Sequence, residues 1–210
     1  MTNVRPAPTI APAPSLQRAW AVGDSIFFAT GGGAGGEPPL ELWKSDGTPG
    51  GTHFVYRFAP AASGSTRQIE GGVDLGGTFF FKIDPTGDFQ EMALWRSDGT
   101  EAGTKIVARY AKGDGGSGNG QMGELFALGD QLFYYAEALG LGLEPHLLTA
   151  TPGDTNWDGL VDLSDFATLK AHFGQSGGLA QGDLDGNGRI DLSDFGALKG
   201  ALGVQAAPAS

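Results

Sequence analysis

The sequence predicts a multidomain chain, mainly β in its N-terminal part with about three four-stranded antiparallel repeats, ending in a small all-α C-terminal unit. Three observations predict it. Glycine supplies 37 of the 210 residues, far above its usual share, which points to many turns and few long helices. Residues 15–148 repeat with a period of about 52 residues. From Gly153 the texture changes to two nearly superimposable copies of another motif. The expected division is 1–14 as a Pro/Ala-rich linker or tail, 15–150 as the β-repeat region, 151–204 as the second unit and 205–210 as a tail.

The repeat is carried first by Ile26-Phe27-Phe28, Phe79-Phe80-Phe81 and Leu132-Phe133-Tyr134, each following a Gly or Gly-Asp turn. A second landmark lies downstream, as Glu41-Leu42-Trp43-Lys44-Ser45-Asp46-Gly47-Thr48 and as Ala93-Leu94-Trp95-Arg96-Ser97-Asp98-Gly99-Thr100, decaying to Glu144-Pro145-His146-Leu147-Leu148. After each Ser-Asp-Gly-Thr, residues 52–58 and 104–110 alternate as half-buried strands do. Asp-Gly between such runs reads as a hairpin turn, since glycine accepts a positive φ freely and aspartate tolerates it. Each repeat is therefore four short strands, in the first copy 19–22, 25–30, 40–44 and 52–58, the size of one propeller blade. The third copy is expected to lose its last strand, because the chain passes from Thr149 straight into the second unit.

The Leu-Trp-x-Ser-Asp-Gly-Thr signature resembles the bacterial repeat family named for ELWxxDGT. The resemblance covers about residues 15–148 and implies propeller-like β-sheets in large extracellular proteins. Closed propellers usually need four to eight blades. About three would leave an open edge, to be met by upstream repeats, an open array or a second chain. Trp43 and Trp95 are expected to pack in the core or between blades, and Asp46 and Asp98 to serve their turns. Residues 31–36 and 113–118 match the spacing of dinucleotide loops, but neither opens a helix in a βαβ unit, so both read as plain glycine-rich loops.

Charge narrows the partners. A net charge of −11 disfavours nucleic acid, which requires clustered Lys and Arg, and favours cations. The absence of cysteine excludes disulfides and thiolate zinc sites. No stretch approaches the roughly 20 apolar residues of a membrane span. The opening residues form no signal-peptide core and read as linker, as they would if an upstream part with an export signal preceded them.

Each C-terminal copy begins with D-x-[DN]-x-[DN]-G, which sets short oxygen-bearing side chains at alternate positions of a loop folding around one ion. In the first loop Asp154, Asn156 and Asp158 give side-chain oxygens, Gly159 allows the bend, Leu160 offers its carbonyl, Asp162 acts through water and Asp165 closes the shell at the twelfth position. The second loop repeats this with Asp183, Asp185, Asn187, Gly188, the Arg189 carbonyl, Asp191 and Asp194. Hard oxygens throughout favour calcium, two ions in all, over zinc, copper or magnesium. Helical apolar spacing follows each loop, at Phe166, Leu169, Phe173 and at Phe195, Leu198, Leu202, ending at Gly174 and Gly203. Helices this short bury too little to fold alone, so metal binding and folding are expected to be coupled. The repeats, by contrast, are expected to unfold independently, their transition indifferent to a chelator.

The pair resembles a type I dockerin over residues 153–203: EF-hand-like loop-helix motifs, no helix entering the first loop, where Pro152 and Gly153 stand, and aspartate at the twelfth position. The resemblance implies a cohesin-domain protein as partner. It places the partner-facing residues at Leu163, Ser164, Lys170 and Ala171, and symmetrically at Leu192, Ser193, Lys199 and Gly200, hence two equivalent docking faces.

The leading expectation is a non-catalytic, dockerin-bearing extracellular or cell-surface protein, with any carbohydrate reached indirectly; such loops can be weak and work where calcium is near millimolar. One alternative is a polysaccharide-degrading enzyme or its accessory subunit, for which Glu41, Glu70, Asp74, Glu91 and Glu124 are candidate carboxylates with no reason to pair any two. The other is a structural cap without a cohesin partner, whose mark would be an intramolecular interface hiding Leu163, Ser164, Leu192 and Ser193.

Overall fold

The computed structural model describes residues 15–32, 38–60, 66–86, 91–111, 121–138 and 142–204. The expected linker at 1–14, the tail at 205–210 and most of the glycine-rich loops at 31–36 and 113–118 lie outside the described residues. Three antiparallel meanders come first. β1 (Leu16–Val22), β2 (Ser25–Thr30), β3 (Glu41–Ser45) and β4 (His53–Arg57) form sheet 1 in that order. β5 (Gly71–Leu75), β6 (Thr78–Ile83), β7 (Glu91–Ser97) and β8 (Lys105–Ala111) form sheet 2. Sheet 3 has three strands, β9 (Phe126–Leu128), β10 (Gln131–Ala138) and β11 (Gly142–Thr149), and among the described residues it lacks the last strand, as expected.

The sheets stack in sequence order. Phe27, Ala29 and Leu42 of sheet 1 share one core with Phe79, Phe81 and Trp95 of sheet 2. Leu75, Phe80 and Leu94 from the opposite face of sheet 2 share a second with Leu132, Tyr134 and Ala136 of sheet 3. Phe27, Phe79, Phe80 and Phe81 are wholly buried, each contributing on the order of 2 kcal/mol. The middle position of sheet 2 explains why every residue of β6 is buried while β11 alternates: a sheet covered on both faces loses the period-two pattern. First strands lie side by side, β1 by β5 and β5 by β9, so the sheets fan from a common inner edge.

The Asp-Gly turns differ from tight hairpins. β3 ends at Ser45 and β4 begins at His53, because the Asp46 carboxylate accepts from both the Thr48 amide and hydroxyl, 2.8 and 2.7 Å away. Asp98 does the same with Thr100. These contacts lower the Asp46 pKa, the Thr48 hydroxyl being the largest cause, and they close a wider loop. Both aspartates serve their turns as expected. Trp95 packs between sheets, whereas Trp43 lies half-buried on the outer face of sheet 1.

The second unit consists of α1 (Leu163–His172), a 3-10 turn at Leu179–Gln181 and α2 (Leu192–Ala201). Each α-helix opens on a capping box, Asp162 with Asp165 and Asp191 with Asp194, and stops before the left-handed Gly174 and Gly203. The core differs from the helical spacing: Leu169 and Leu198 are buried, but Phe173, Phe195 and Leu202 stay 47%, 40% and 48% exposed. Val161 and Ile190, at the eighth positions of the two loops, fill the centre instead. They are held there by cross-pairing: Val161 exchanges backbone hydrogen bonds with Gly203 and Val204 beyond α2, and Ile190 with Gly174 and Gln175 beyond α1.

The two regions touch. Trp157 of the first loop packs into the core between sheets 2 and 3, and the Ala180 amide donates to Gly76 in the β5–β6 turn. The first loop carries a large aromatic between two polar positions, and the end of sheet 2 offers it an apolar seat. No helix among the described residues is long and apolar enough to cross a membrane.

Candidate metal centre and docking face

Both loops fold around inward carboxylates. The Asp165 carboxylate is fully buried; one oxygen accepts from the amides of Thr155 and Asn156 and the other from the amide of Asp162. Asp194 repeats the pattern with Leu184, Asp185 and Asp191. Asp154 accepts from the amides of Asp158 and Gly159, and Asp183 from those of Asn187 and Gly188. Gly159 and Gly188 stand at φ of 88° and 83°, where a side chain is strained, and that bend turns their amides inward.

The acid cluster invites a cation. Single oxygens of Asp183, Asp185 and Asp194 all lie within 4.8 Å of one another, so like charges are held together in one small space. Burial is the largest influence on Asp154 and pushes its pKa up, joined by the Asp165 and Asp158 charges, while the Gly159 and Asp158 amides pull it down. Asp185 and Asp191 are held low chiefly by the Ser193 hydroxyl, and Asp162 by that of Ser164. A divalent cation relieves the repulsion within such a cluster. A donor set of carboxylates, amide oxygen and carbonyls fits calcium.

The first loop differs in two respects. Its third position is Asn156, whose Oδ1 accepts from the Asp158 amide. Arg96 of β7, only 3% exposed, lies within electrostatic reach of this loop. Burial lowers its pKa, and the carboxylates of Asp98, Asp154 and Asp158 oppose that. No local motif singles out this cation, which comes from a strand 58 residues upstream of Asp154.

All eight residues expected to face a partner are exposed: Leu163, Ser164, Lys170 and Ala171 on α1, and Leu192, Ser193, Lys199 and Gly200 on α2. Leu163 and Leu192 are 76% and 74% exposed. The serines tie this face to the loops: Ser164 Oγ donates to Asp162 and accepts from Asn156 Nδ2, while Ser193 Oγ donates to Asp185 and Asp191. An intramolecular interface exists, but Trp157, Leu179 and Ala180 make it, and it leaves the four residues that a cap would hide in the open.

No curated protein and no solved structure matches the chain. Residues 152–203 match the family model of the dockerin type I domain, and this part of the chain is therefore a type I dockerin segment, a module that in general binds cohesins in a calcium-dependent way.

Proposed function

We propose that the chain is an extracellular, non-catalytic protein that attaches to a cohesin-domain partner through its dockerin, each loop holding one calcium ion. Asp154, Asn156, Asp158, the Leu160 carbonyl, Asp165 and, through water, Asp162 would hold the first. Asp183, Asp185, Asn187, the Arg189 carbonyl, Asp194 and, through water, Asp191 would hold the second. Calcium supplies the positive charge that lets the buried carboxylates stay ionised. The chain's own residues do the rest: capping boxes set α1 and α2, and the serine hydroxyls fix Leu163 and Leu192 relative to the loops.

The observation that carries this reading is the exposure of Leu163 and Leu192 beside loop-bound serines, although the unit already has an internal interface elsewhere. Exposed leucines at equivalent places on both helices suit an apolar partner surface. For the repeats, two of the candidate carboxylates are engaged in ion pairs, Glu41 with Arg57 at 2.7 Å and Glu91 with Arg109 at 2.8 Å, which supports a binding or spacing role over catalysis. Carbohydrate is reached through the partner.

The test uses the full chain, immobilised with calcium or with a chelator, against extracellular proteins of the source. Calcium-dependent retention of a cohesin, lost in Leu163→Asp with Leu192→Asp, supports docking. If calcium binds but nothing is retained, the structural cap replaces it. If calorimetry detects no calcium binding that Asp165→Ala with Asp194→Ala removes, the metal assignment fails.

A further inference from the structure

The three sheets stack with one polarity. At the first junction Trp20, Val22 and Phe27 of sheet 1 meet Phe79, Phe81 and Trp95 of sheet 2, with Phe79 centred 5.1 Å from Trp20 and 5.0 Å from Phe27. At the second, the repeat-equivalent Val73, Leu75 and Phe80 of sheet 2 meet Leu132 and Tyr134 of sheet 3. His146, the counterpart of Trp95, joins them by stacking on Tyr134 at 5.3 Å. Each sheet thus presents a forward face and a backward face, and the forward face of one always receives the backward face of the next.

Among the described residues, the two end faces carry the same positions without a mate. On sheet 3 the forward residues are Phe126, Leu128 and Phe133. Phe126 and Leu128 are 56% and 80% exposed, where Val22 and Leu75, the equivalents of Leu128, are buried. On sheet 1 the backward residues are Ile26, Phe28 and Trp43, joined by Phe54. Ile26 and Phe54 are 46% and 40% exposed, and the ring neighbours of Trp43 among the described residues are Phe28 and Phe54, centred 6.3 and 5.7 Å away. A pair of apolar faces of this kind on one molecule marks an interaction surface.

We propose that the occupant of each end face is a second copy of this chain, bound head to tail, the forward face of sheet 3 in each copy receiving the backward face of sheet 1 in the other. The partner's chemistry is set by the junctions already in the chain, which show what each face receives. Contacts between unlike patches grow into rings or filaments. Here the fan of sheets from a common inner edge favours closure, and two copies of three sheets give six, within the four to eight of closed propellers. The dockerin does not obstruct this, since it sits over the sheet ends near the β1–β2, β5–β6 and β9–β10 turns.

The test is light scattering of the full chain in calcium. The expected result is a single species at twice the 21.6 kDa chain mass. Leu128→Glu and Phe54→Lys are each expected to raise the dimer dissociation constant at least tenfold. Mixing the two variants should restore the dimer, because one interface then keeps both native faces and the other opposes unlike charges. A monomeric wild type overturns the proposal and leaves the faces to further repeats of a longer polypeptide; open-ended polymers overturn closure. A dimer indifferent to Leu128→Glu, or variants that do not complement, overturns the head-to-tail arrangement. Leu128 is exposed enough that its replacement leaves the fold intact, which far-ultraviolet circular dichroism checks.

Discussion

Trp157 of the first dockerin loop packs edge-on against Phe80 of the middle sheet, their ring centroids 5.0 Å apart. Trp157 is the only non-glycine residue at positive φ among the described residues, at 54°, a conformation that costs about 1–2 kcal/mol and that this packing offsets. It also lies between Asn156 and Asp158, both proposed as calcium ligands. Occupancy of the loop and integrity of the second core are thus joined through one side chain.

A chelator should therefore lower the melting temperature of the repeat region by several degrees, read by calorimetry on the full chain. Trp157→Ala should cost about 2 kcal/mol, below the range for a fully buried tryptophan because the ring is only half-buried, and should abolish most of the chelator's effect on that transition. A repeat transition unmoved by chelation in the wild type would separate the two regions again.

Arg96 sets the two loops apart. It is buried, within electrostatic reach of Asp154 and Asp158, so a cation entering the first loop meets a positive charge already present, while the second loop's own cation, Arg189, is exposed. The first loop is expected to bind calcium more weakly. Arg96→Gln should tighten that loop by roughly three- to tenfold and leave the other unchanged. Calorimetric titration resolves the two steps; equal affinities that Arg96→Gln does not alter would remove the guanidinium from the account.

Gly182 stands at φ of 109°, and a Cβ there would lie 2.9 Å from the Leu169 backbone Cα. Neither strain nor clash can be relieved by rotating a side chain, because the obstacle is helix backbone. Gly182→Ala should destabilise the dockerin by about 2 kcal/mol or more, seen as loss of helical circular dichroism at a lower temperature. Gly196→Ala, on the exposed face of α2 with open space at its Cβ, should instead stabilise by a few tenths of a kcal/mol or more.

What the sequence made legible follows from local chemistry. The strands of sheets 1 and 2 could be read because Gly-bounded aromatic runs at a fixed period are local signals, and the loops because Asp-x-Asn-x-Asp-Gly in the first and Asp-x-Asp-x-Asn-Gly in the second each encode their own bend. Val161 and Ile190 were missed because their partners, Gly203–Val204 and Gly174–Gln175, belong to the other half of the module, and no spacing within one copy reveals that exchange. Phe173, Phe195 and Leu202 carried the right period but follow a centre already filled. Trp157 and Arg96 stayed hidden for the same reason: each acts on a region remote in sequence.

Tyr110 and Tyr134 join β8 to β10 through a hydroxyl contact of 2.8 Å. Burial is the main cause that raises both pKa values above the ordinary 10.0, Tyr134 the further. An unfolded chain would ionise these phenols near pH 10 while the folded one keeps them neutral. Their contribution is therefore fully present below about pH 10 and is lost as pH rises through the raised folded values. Denaturant unfolding should show stability falling above pH 10 by up to about 1.4 kcal/mol per pH unit for each retained proton, and less steeply in Tyr110→Phe with Tyr134→Phe. In native protein the phenolate absorbance of two of the four tyrosines should appear only beyond the ordinary range. All four titrating together near the ordinary value would mean that the seam between sheets 2 and 3 is open to water.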